Sequence, residues 1–349
     1  MNKKEILAWL TATGENELEN LWRMADETRR RNVGDDVHLR GLIEISNICG
    51  RRCGYCGISI ANTELERYRM PEEEILSCAR EAAGYGYGTV VIQAGEDPGI
   101  TREWMAGLIR SIKSETGLAV TLSLGERSDD EFLAWKEAGA DRYLLRFETS
   151  NRRLYDLIHP PLPGIVSDRI AMLRRLREIG YEIGSGVMIG IPGQSYDDLA
   201  NDIELFRVLD LDMIGVGPYI PHHATPLGGS GAIPPAPEGD QVPNTEAMTY
   251  KVVALTRLAC PQANIPSTTA LATLNTASGR ELGLSRGANI LMPNMTPRKY
   301  RALYEIYPAK VCIDETAAEC RSCMSRRILS IGRGIGTGRG DSPNRSKNA

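Results

Sequence analysis

The stretch Leu42-Ile43-Glu44-Ile45-Ser46-Asn47-Ile48-Cys49-Gly50-Arg51-Arg52-Cys53-Gly54-Tyr55-Cys56 decides how the chain is read. Residues 42–46 are a short apolar run of strand type, and Asn47 ends it. Three cysteines follow within eight residues, at 49, 53 and 56. The pattern of a strand leaving its core through polar residues repeats outward from here. Short apolar runs lie near 89–94, 118–124, 142–147, 183–191, 212–218, 263–267 and 287–292. Helix-like stretches separate most of them, at 71–86, 101–116, 129–138, 167–180, 195–209, 245–259 and 279–286, with 298–307 as an eighth. Strand alternating with helix implies parallel pairing and right-handed crossovers. Eight such units fit an α/β fold of the (β/α)8 TIM-barrel type; a doubly wound open sheet shares the periodicity and is the alternative.

The remaining segments flank that barrel, which is assigned to 37–308. Residues 1–36 read as a helical extension, with Leu7, Leu10, Leu18, Leu21 and Trp22 at helical spacing. A short cysteine-bearing segment covers 309–331. The glycine-rich, basic residues 332–349 read as a mobile tail, and the Gly/Pro-rich stretch 227–243 as a surface insertion. Composition narrows the function. With 42% hydrophobic and 25% charged residues the chain is not disordered. A net charge of −4 and 6% aromatics argue against nucleic acid. No apolar run reaches the ~18 residues of a membrane span, and no secretory signal is present. The expected location is cytoplasmic, where eight cysteines point to metal or catalysis rather than disulfides.

Thiolates are soft ligands suited to iron–sulfur clusters and zinc. A structural zinc site normally has four protein ligands. Three thiolates in one loop suit a cubane that keeps one iron free, and Arg51, Arg52 and Arg69 are candidates to offset its charge. Polar strand ends, among them Gln93-Ala94-Gly95-Glu96, Ser123, Arg146-Phe147-Glu148 and Ser267-Thr268-Thr269, would gather on one face of a barrel.

Cys49-x3-Cys53-x2-Cys56 with an aromatic before the third cysteine resembles the radical S-adenosylmethionine (SAM) superfamily. Ala94-Gly95-Glu96-Asp97 resembles its second-strand motif, with Ala94 in place of a glycine. The resemblance implies a [4Fe-4S] cluster on Cys49, Cys53 and Cys56. Its free iron would chelate SAM, and one electron would release methionine and a 5′-deoxyadenosyl radical. Blocks such as Arg67-Tyr68-Arg69-Met70, Thr121-Leu122-Ser123-Leu124-Gly125-Glu126, Ile265-Pro266-Ser267-Thr268-Thr269 and Gly287-Ala288-Asn289-Ile290-Leu291-Met292-Pro293-Asn294 resemble the [FeFe]-hydrogenase maturase family HydE over nearly the whole chain. That family is similar to the methylornithine synthase PylB. Cys312-x7-Cys320-x2-Cys323 could hold zinc or an iron–sulfur cluster on three thiolates, with water or another ligand completing it; it resembles the HydE accessory site, which implies a [2Fe-2S] or [4Fe-4S] cluster there.

Residue roles follow from the same resemblance. SAM would contact Tyr55, Gln93, Gly95, Glu96, Ser123, Glu148 and Arg169. The substrate, an iron complex carrying cysteine, carbon monoxide and cyanide, would contact Arg40, Thr121, Arg146, Thr268, Thr269, Met292 and Tyr304. Arginines inside a barrel need an anionic partner, which suits Arg40 and Arg146 to that complex. Phe147 departs from the histidine expected in that motif. The implied partners are the maturases HydG and HydF and a reductant such as ferredoxin or flavodoxin. A PylB-like enzyme acting on an amino acid such as lysine is the second reading. A non-enzymatic iron–sulfur electron carrier is the third.

Overall fold

The computed structural model describes residues 1–164, 166–229 and 233–344. Its strands are β1 (His38–Ser46), β2 (Thr89–Ala94), β3 (Ala119–Ser123), β4 (Arg142–Leu144), β5 (Glu182–Ser185), β6 (Met188–Ile189), β7 (Met213–Ile214), β8 (Gly217–Pro218) and β9 (Ile290–Leu291). Seven of them form one sheet in the order β7-β5-β4-β3-β2-β1-β9, every pair parallel. Residues 263–267, expected as a strand, enter only as parallel bridges, Met213 to Asn264 and Pro266 to Ile290. Those bridges lie between the two edge strands and close the ring at eight positions. Pro266 has no N–H for a ladder, which keeps this segment from pairing as a full strand. β6 and β8 pair with each other above the ring. The fold is the expected TIM-type barrel.

The helices are α1 (Lys3–Thr11), α2 (Glu15–Val33), α3 (Glu72–Gly84), α4 (Arg102–Thr116), α5 (Asp129–Glu137), α6 (Arg152–Ile158), α7 (Arg169–Ile179), α8 (Tyr196–Val208), α9 (Glu246–Ala259), α10 (Thr269–Leu274), α11 (Gly279–Ser285), α12 (Arg298–Arg301) and α13 (Ala317–Ser330). Local chemistry sets many boundaries. Ser128 and Ser195 close capping boxes at the starts of α5 and α8, and Gly117 ends α4 in the left-handed conformation. The N-terminal pair packs on the barrel's outside, α1 against α8 and α9, and α2 against α9. The expected helix 298–307 shrinks to the four residues of α12, while α13 was not expected. Where β1 ends, its register against β2 shifts between Glu44 and Ser46. Such an irregularity re-aims a strand, here just before the cysteine loop.

The tail expected to be mobile packs against the barrel over 332–344. Ile335 bridges to Val37, and the buried Arg333 guanidinium donates to the carbonyls of Leu284 and Ala288 at 3.0 and 2.9 Å. The chain then runs beneath the barrel. Gly340 O accepts from Arg40 Nη2 at 2.8 Å, and Arg339 O from Thr89 Oγ1 at 2.8 Å. Asp341 and Glu182 both pair with Arg142. The glycines serve close approach rather than mobility. A Cβ on Gly88 would fall 1.7 Å from Gly338 O. Residues 345–349 lie outside the described residues.

One buried carboxyl makes the fold pH-sensitive. Asp202 on α8 is fully buried and accepts from Ser150 N at 2.5 Å. Burial, opposed by Ser150, lifts its pKa from 3.8 to about 7. The folded chain therefore keeps a proton that the unfolded chain loses above about pH 4. This group's contribution to stability falls as pH rises through the interval up to about 7. We expect Asp202→Asn to gain on the wild type by up to about 4 kcal/mol between pH 4 and pH 8. Urea unfolding of both proteins across that range tests this. A difference independent of pH would show that Asp202 ionises normally.

Candidate active site

The carboxyl ends of the strands converge on a cavity of about 340 Å³. Its wall includes Cys49, Cys53, Cys56, Tyr55, Gln93, Gly95, Glu96, Ser123, Arg146, Glu148, Arg169, Thr268, Thr269, Met292 and Tyr304. Fifteen of the seventeen barrel residues singled out in the sequence thus share one wall. The other two, Arg40 and Thr121, do not line it. They lie at the barrel floor around a space of only about 10 Å³ with Arg142, Glu182 and Asn264. Arg40 donates to Met213 Sδ at 3.1 Å and to Gly340 O. Both partners belong to the protein itself, and its buried Nε has none.

The cysteine loop is fixed mainly by its backbone. Gly50 N donates to Glu96 O, Gly54 N to Ile158 O and Gly57 N to Ile306 O, at 2.8–3.0 Å. The Arg67 guanidinium donates to four carbonyls, those of Asn47, Ile58, Ser59 and Asn62, at 2.7–3.0 Å. That organising role carries no local sequence signal. Gly95 is required where the loop crosses β2, since a Cβ would sit 2.3 Å from Ile48 O. Residues 227–229 and 233–243 are more than a surface insertion. Leu227 N donates to Gly54 O at 2.9 Å, and Leu227 and Ile233 pack in the apolar cluster that Tyr55 borders. Residues 230–232 of that stretch lie outside the described residues.

Burial pushes the Cys56 thiol up to about 12, with the neighbouring Cys49 adding to it. Burial raises Cys53 and Cys49 as well. As thiolates, these three side chains need positive charge among them. The three arginines expected to supply it are engaged elsewhere or exposed. Arg69 forks onto Asp97 at 2.7 and 2.8 Å, Arg52 is exposed, and Arg51 pairs with Glu96 and Glu126. A bound metal cluster fits this donor set.

Beside the thiols, four charges close a ring. Arg51 joins Glu96 to Glu126 on one side. On the other, Arg169 donates from Nε to Glu126 at 2.8 Å and from Nη2 to Glu96 at 3.2 Å. Burial and then the charge of Arg169 depress His159 to about 3, so its neutral Nε2 accepts from Arg169 at 2.7 Å. Burial tends to raise Glu126, but Arg169, Ser167 and Arg51 hold it below the usual carboxylate range. A Cβ on Gly125 would fall 1.9 Å from Glu96 Cγ, so this glycine (φ 75°) makes room for the ring. Glu126 and His159 were not singled out in the sequence.

On the same wall, Arg146 Nη2 lies 3.1 Å from Glu148 Oε2. Glu148 holds a left-handed backbone (φ 63°), a conformation costly for glutamate and frequent at functional sites. Thr268 caps α10, and Tyr304 OH accepts from Gln93 at 3.3 Å. Two further charged groups line the wall, Glu44 and Lys310, paired with each other. Their separation of 266 positions hid that pair in the sequence. Phe147 faces away and packs on Phe206, ring centroids 5.7 Å apart.

The second cysteine set is only partly assembled. Cys312 and Cys320 meet, and the S–H···S bond between them pushes Cys312 up and draws Cys320 down to about 7. Cys323 instead meets Arg327 on its own helix. No helix among the described residues is long and apolar enough to cross a membrane.

Comparison with known proteins agrees with this geometry. The radical SAM superfamily model matches residues 43–206. The chain is 45% identical over 315 residues to the "[FeFe] hydrogenase maturase subunit HydE" of Thermotoga maritima, covering 90% of this chain and 86% of that protein. It is 27% identical to a 3-methylornithine synthase of Methanosarcina acetivorans over 83% of this chain and 79% of that one. The crystal structure of methylornithine synthase (PylB) superimposes with a TM-score of 0.79 at 24% identity, covering 96% and 94% of the two chains, a likeness of fold.

Proposed function

The chain belongs to the radical SAM superfamily, in the family of the [FeFe] hydrogenase maturase HydE, and on that premise we propose that it works on an iron–cysteine–carbonyl–cyanide precursor of the hydrogenase di-iron site. The observation that carries this reading is the single cavity. The three thiols, Arg51, Glu96 and Arg169 of the charged ring, Arg146, the Thr268–Thr269 hydroxyls, Met292 and Tyr304 all line it.

Cys49, Cys53 and Cys56 would hold a [4Fe-4S] cluster. When bound, cluster and SAM supply one-electron cleavage of the sulfonium and a carbon radical. The protein's own part is binding and orientation. Glu96 is an acceptor for the ammonium of a zwitterionic amino acid, and Arg169 a donor to its carboxylate. The two side chains already lie 3.2 Å apart as partners of each other, so SAM would exchange one ion pair for two. Gln93, Ser123, Glu148 and Tyr55 would orient the rest of SAM. Arg146 and the two threonines would receive the negative charge of the iron complex, with Arg40 and Thr121 at the floor of the same barrel. The barrel walls around the cavity would limit water at a reactive radical. In this reading a HydG-type step supplies the precursor, a HydF-type scaffold takes the product, and ferredoxin or flavodoxin provides electrons in the cytoplasm.

Anaerobic electron paramagnetic resonance on the reconstituted, reduced protein tests the proposal. A synthetic iron–cysteine–carbonyl–cyanide complex is added with SAM, and lysine serves as the parallel substrate. We expect a new low-spin iron signal that requires both SAM and the complex. If lysine instead stimulates 5′-deoxyadenosine release and the complex gives no signal, the proposal fails in favour of an amino-acid enzyme.

A further inference from the structure

Every N–H edge of the Arg169 guanidinium has a partner. Nε donates to Glu126 at 2.8 Å and Nη1 to the Arg146 carbonyl at 2.8 Å. Nη2 is shared, with Glu96 Oε1 at 3.2 Å and His159 Nε2 at 2.7 Å. A guanidinium only donates, so His159 Nε2 is the acceptor and the imidazole carries its hydrogen on Nδ1. His159 is 1% exposed and ends α6. Its ring stacks on Tyr155, with centroids 5.0 Å apart and planes 28° from parallel. The Tyr155 hydroxyl meets Ser167 Oγ at 2.7 Å, and Ser167 in turn donates to Glu126 at 2.5 Å. The imidazole is thus held by a neighbour that is itself tied into the charged ring.

We propose that His159 is a positioning residue, which keeps the Arg169 guanidinium turned toward the SAM carboxylate once Glu96 has moved to the ammonium. This role rests on the reading of Glu96 and Arg169 as the receivers of those two groups. Nη2 carries two hydrogens. One goes to His159, and the other faces Glu96 and becomes free for a carboxylate when Glu96 turns away. An uncharged acceptor suits the task. It fixes the plane of the guanidinium without cancelling its charge, whereas a further carboxylate in its place would satisfy the cation and leave less attraction for the ligand. His159 is not on the cavity wall, so its effect passes through Arg169.

Two substitutions in the full chain separate the acceptor from the bulk of the ring. Glutamine places its amide oxygen near the position of Nε2, while asparagine reaches only as far as Nδ1. Each protein is reconstituted anaerobically and its iron content checked. Equilibrium dialysis then gives Kd for SAM and for decarboxylated SAM, which keeps the ammonium and lacks the carboxylate. His159→Asn should weaken SAM by at least about tenfold and decarboxylated SAM by less than about twofold, and His159→Gln should hold SAM within about threefold of the wild type. In turnover, His159→Asn should raise KM more than it lowers kcat. Arg169→Gln, run in parallel, should erase the preference for SAM over its decarboxylated form. The role of His159 is overturned if His159→Asn weakens both nucleosides equally, if it leaves SAM binding unchanged, or if His159→Gln falls as far as His159→Asn. With the preference erased in Arg169→Gln, any of those results removes His159 alone and the SAM reading stands. A preference unchanged in Arg169→Gln would remove the carboxylate role of Arg169, and the role of His159 with it.

Discussion

Cys53→Ala is expected to yield folded protein that has lost SAM cleavage, with 5′-deoxyadenosine release down by roughly 1,000-fold or more. Cys53 is 8% exposed and lies on the cavity wall with its two neighbours. Its removal leaves two thiolates, too few to hold a cubane that must present one open iron. The loop itself should survive. Its shape comes from Arg67 and from the backbone bonds of Gly50, Gly54 and Gly57, none of which involves the Cys53 side chain. Iron content, visible absorption and 5′-deoxyadenosine are measured after anaerobic reconstitution. Cys78→Ala is the control, since Cys78 is buried in α3 among apolar side chains. Retained SAM cleavage in Cys53→Ala, or equal loss in Cys78→Ala, would falsify the assignment.

The second large effect is on stability. Deleting residues 336–349 should cost about 3 kcal/mol, read as a lower urea midpoint. The deletion strips Arg142 of Asp341 and Arg40 of the Gly340 carbonyl. It also removes the Arg339–Asp141 pair, 2.6 Å long. Two buried guanidiniums would be left underpartnered at the barrel floor, with Glu182 and the Thr89 hydroxyl still beside Arg142. Water entering from below would offset part of the cost, so the figure is well under the sum of the broken pairs. A truncated chain as stable as the full one would mean that the tail merely rests on the floor.

That second expectation could not be reached from the sequence. Gly332, Gly334, Gly336, Gly338 and Gly340 suggest mobility when read alone. In the fold, Gly88 and His38 press against the tail, and Cβ atoms at Gly336 or Gly340 would come within 2.9 Å of the His38 ring. Local patterns were legible where local physics decides. Strands buried on both faces read as apolar runs, and capped helices between them read as crossovers. The cysteine spacing identified the loop because three ligands in eight residues have few other uses. Strand lengths were overread wherever glycine or proline interrupts a ladder, as at Gly186 between β5 and β6 and at Pro266. Residues whose meaning arises only on folding stayed hidden: Arg67 over four carbonyls, Glu126 and His159 in the charged ring, and Lys310 against Glu44. Arg40 was read as an inward-facing cation in need of a partner. The chain's own tail supplies one acceptor, the Gly340 carbonyl, which no local pattern could announce.

The sealed floor also governs traffic. With Arg40, Arg142 and the tail filling the lower end, only a space of about 10 Å³ is left there. Under the proposed reading, whatever enters the barrel would have to leave by its upper mouth. A substrate seated deeper than SAM would then be released only after SAM's fragments, and binding would be ordered, with departure at the mouth able to set the rate of turnover.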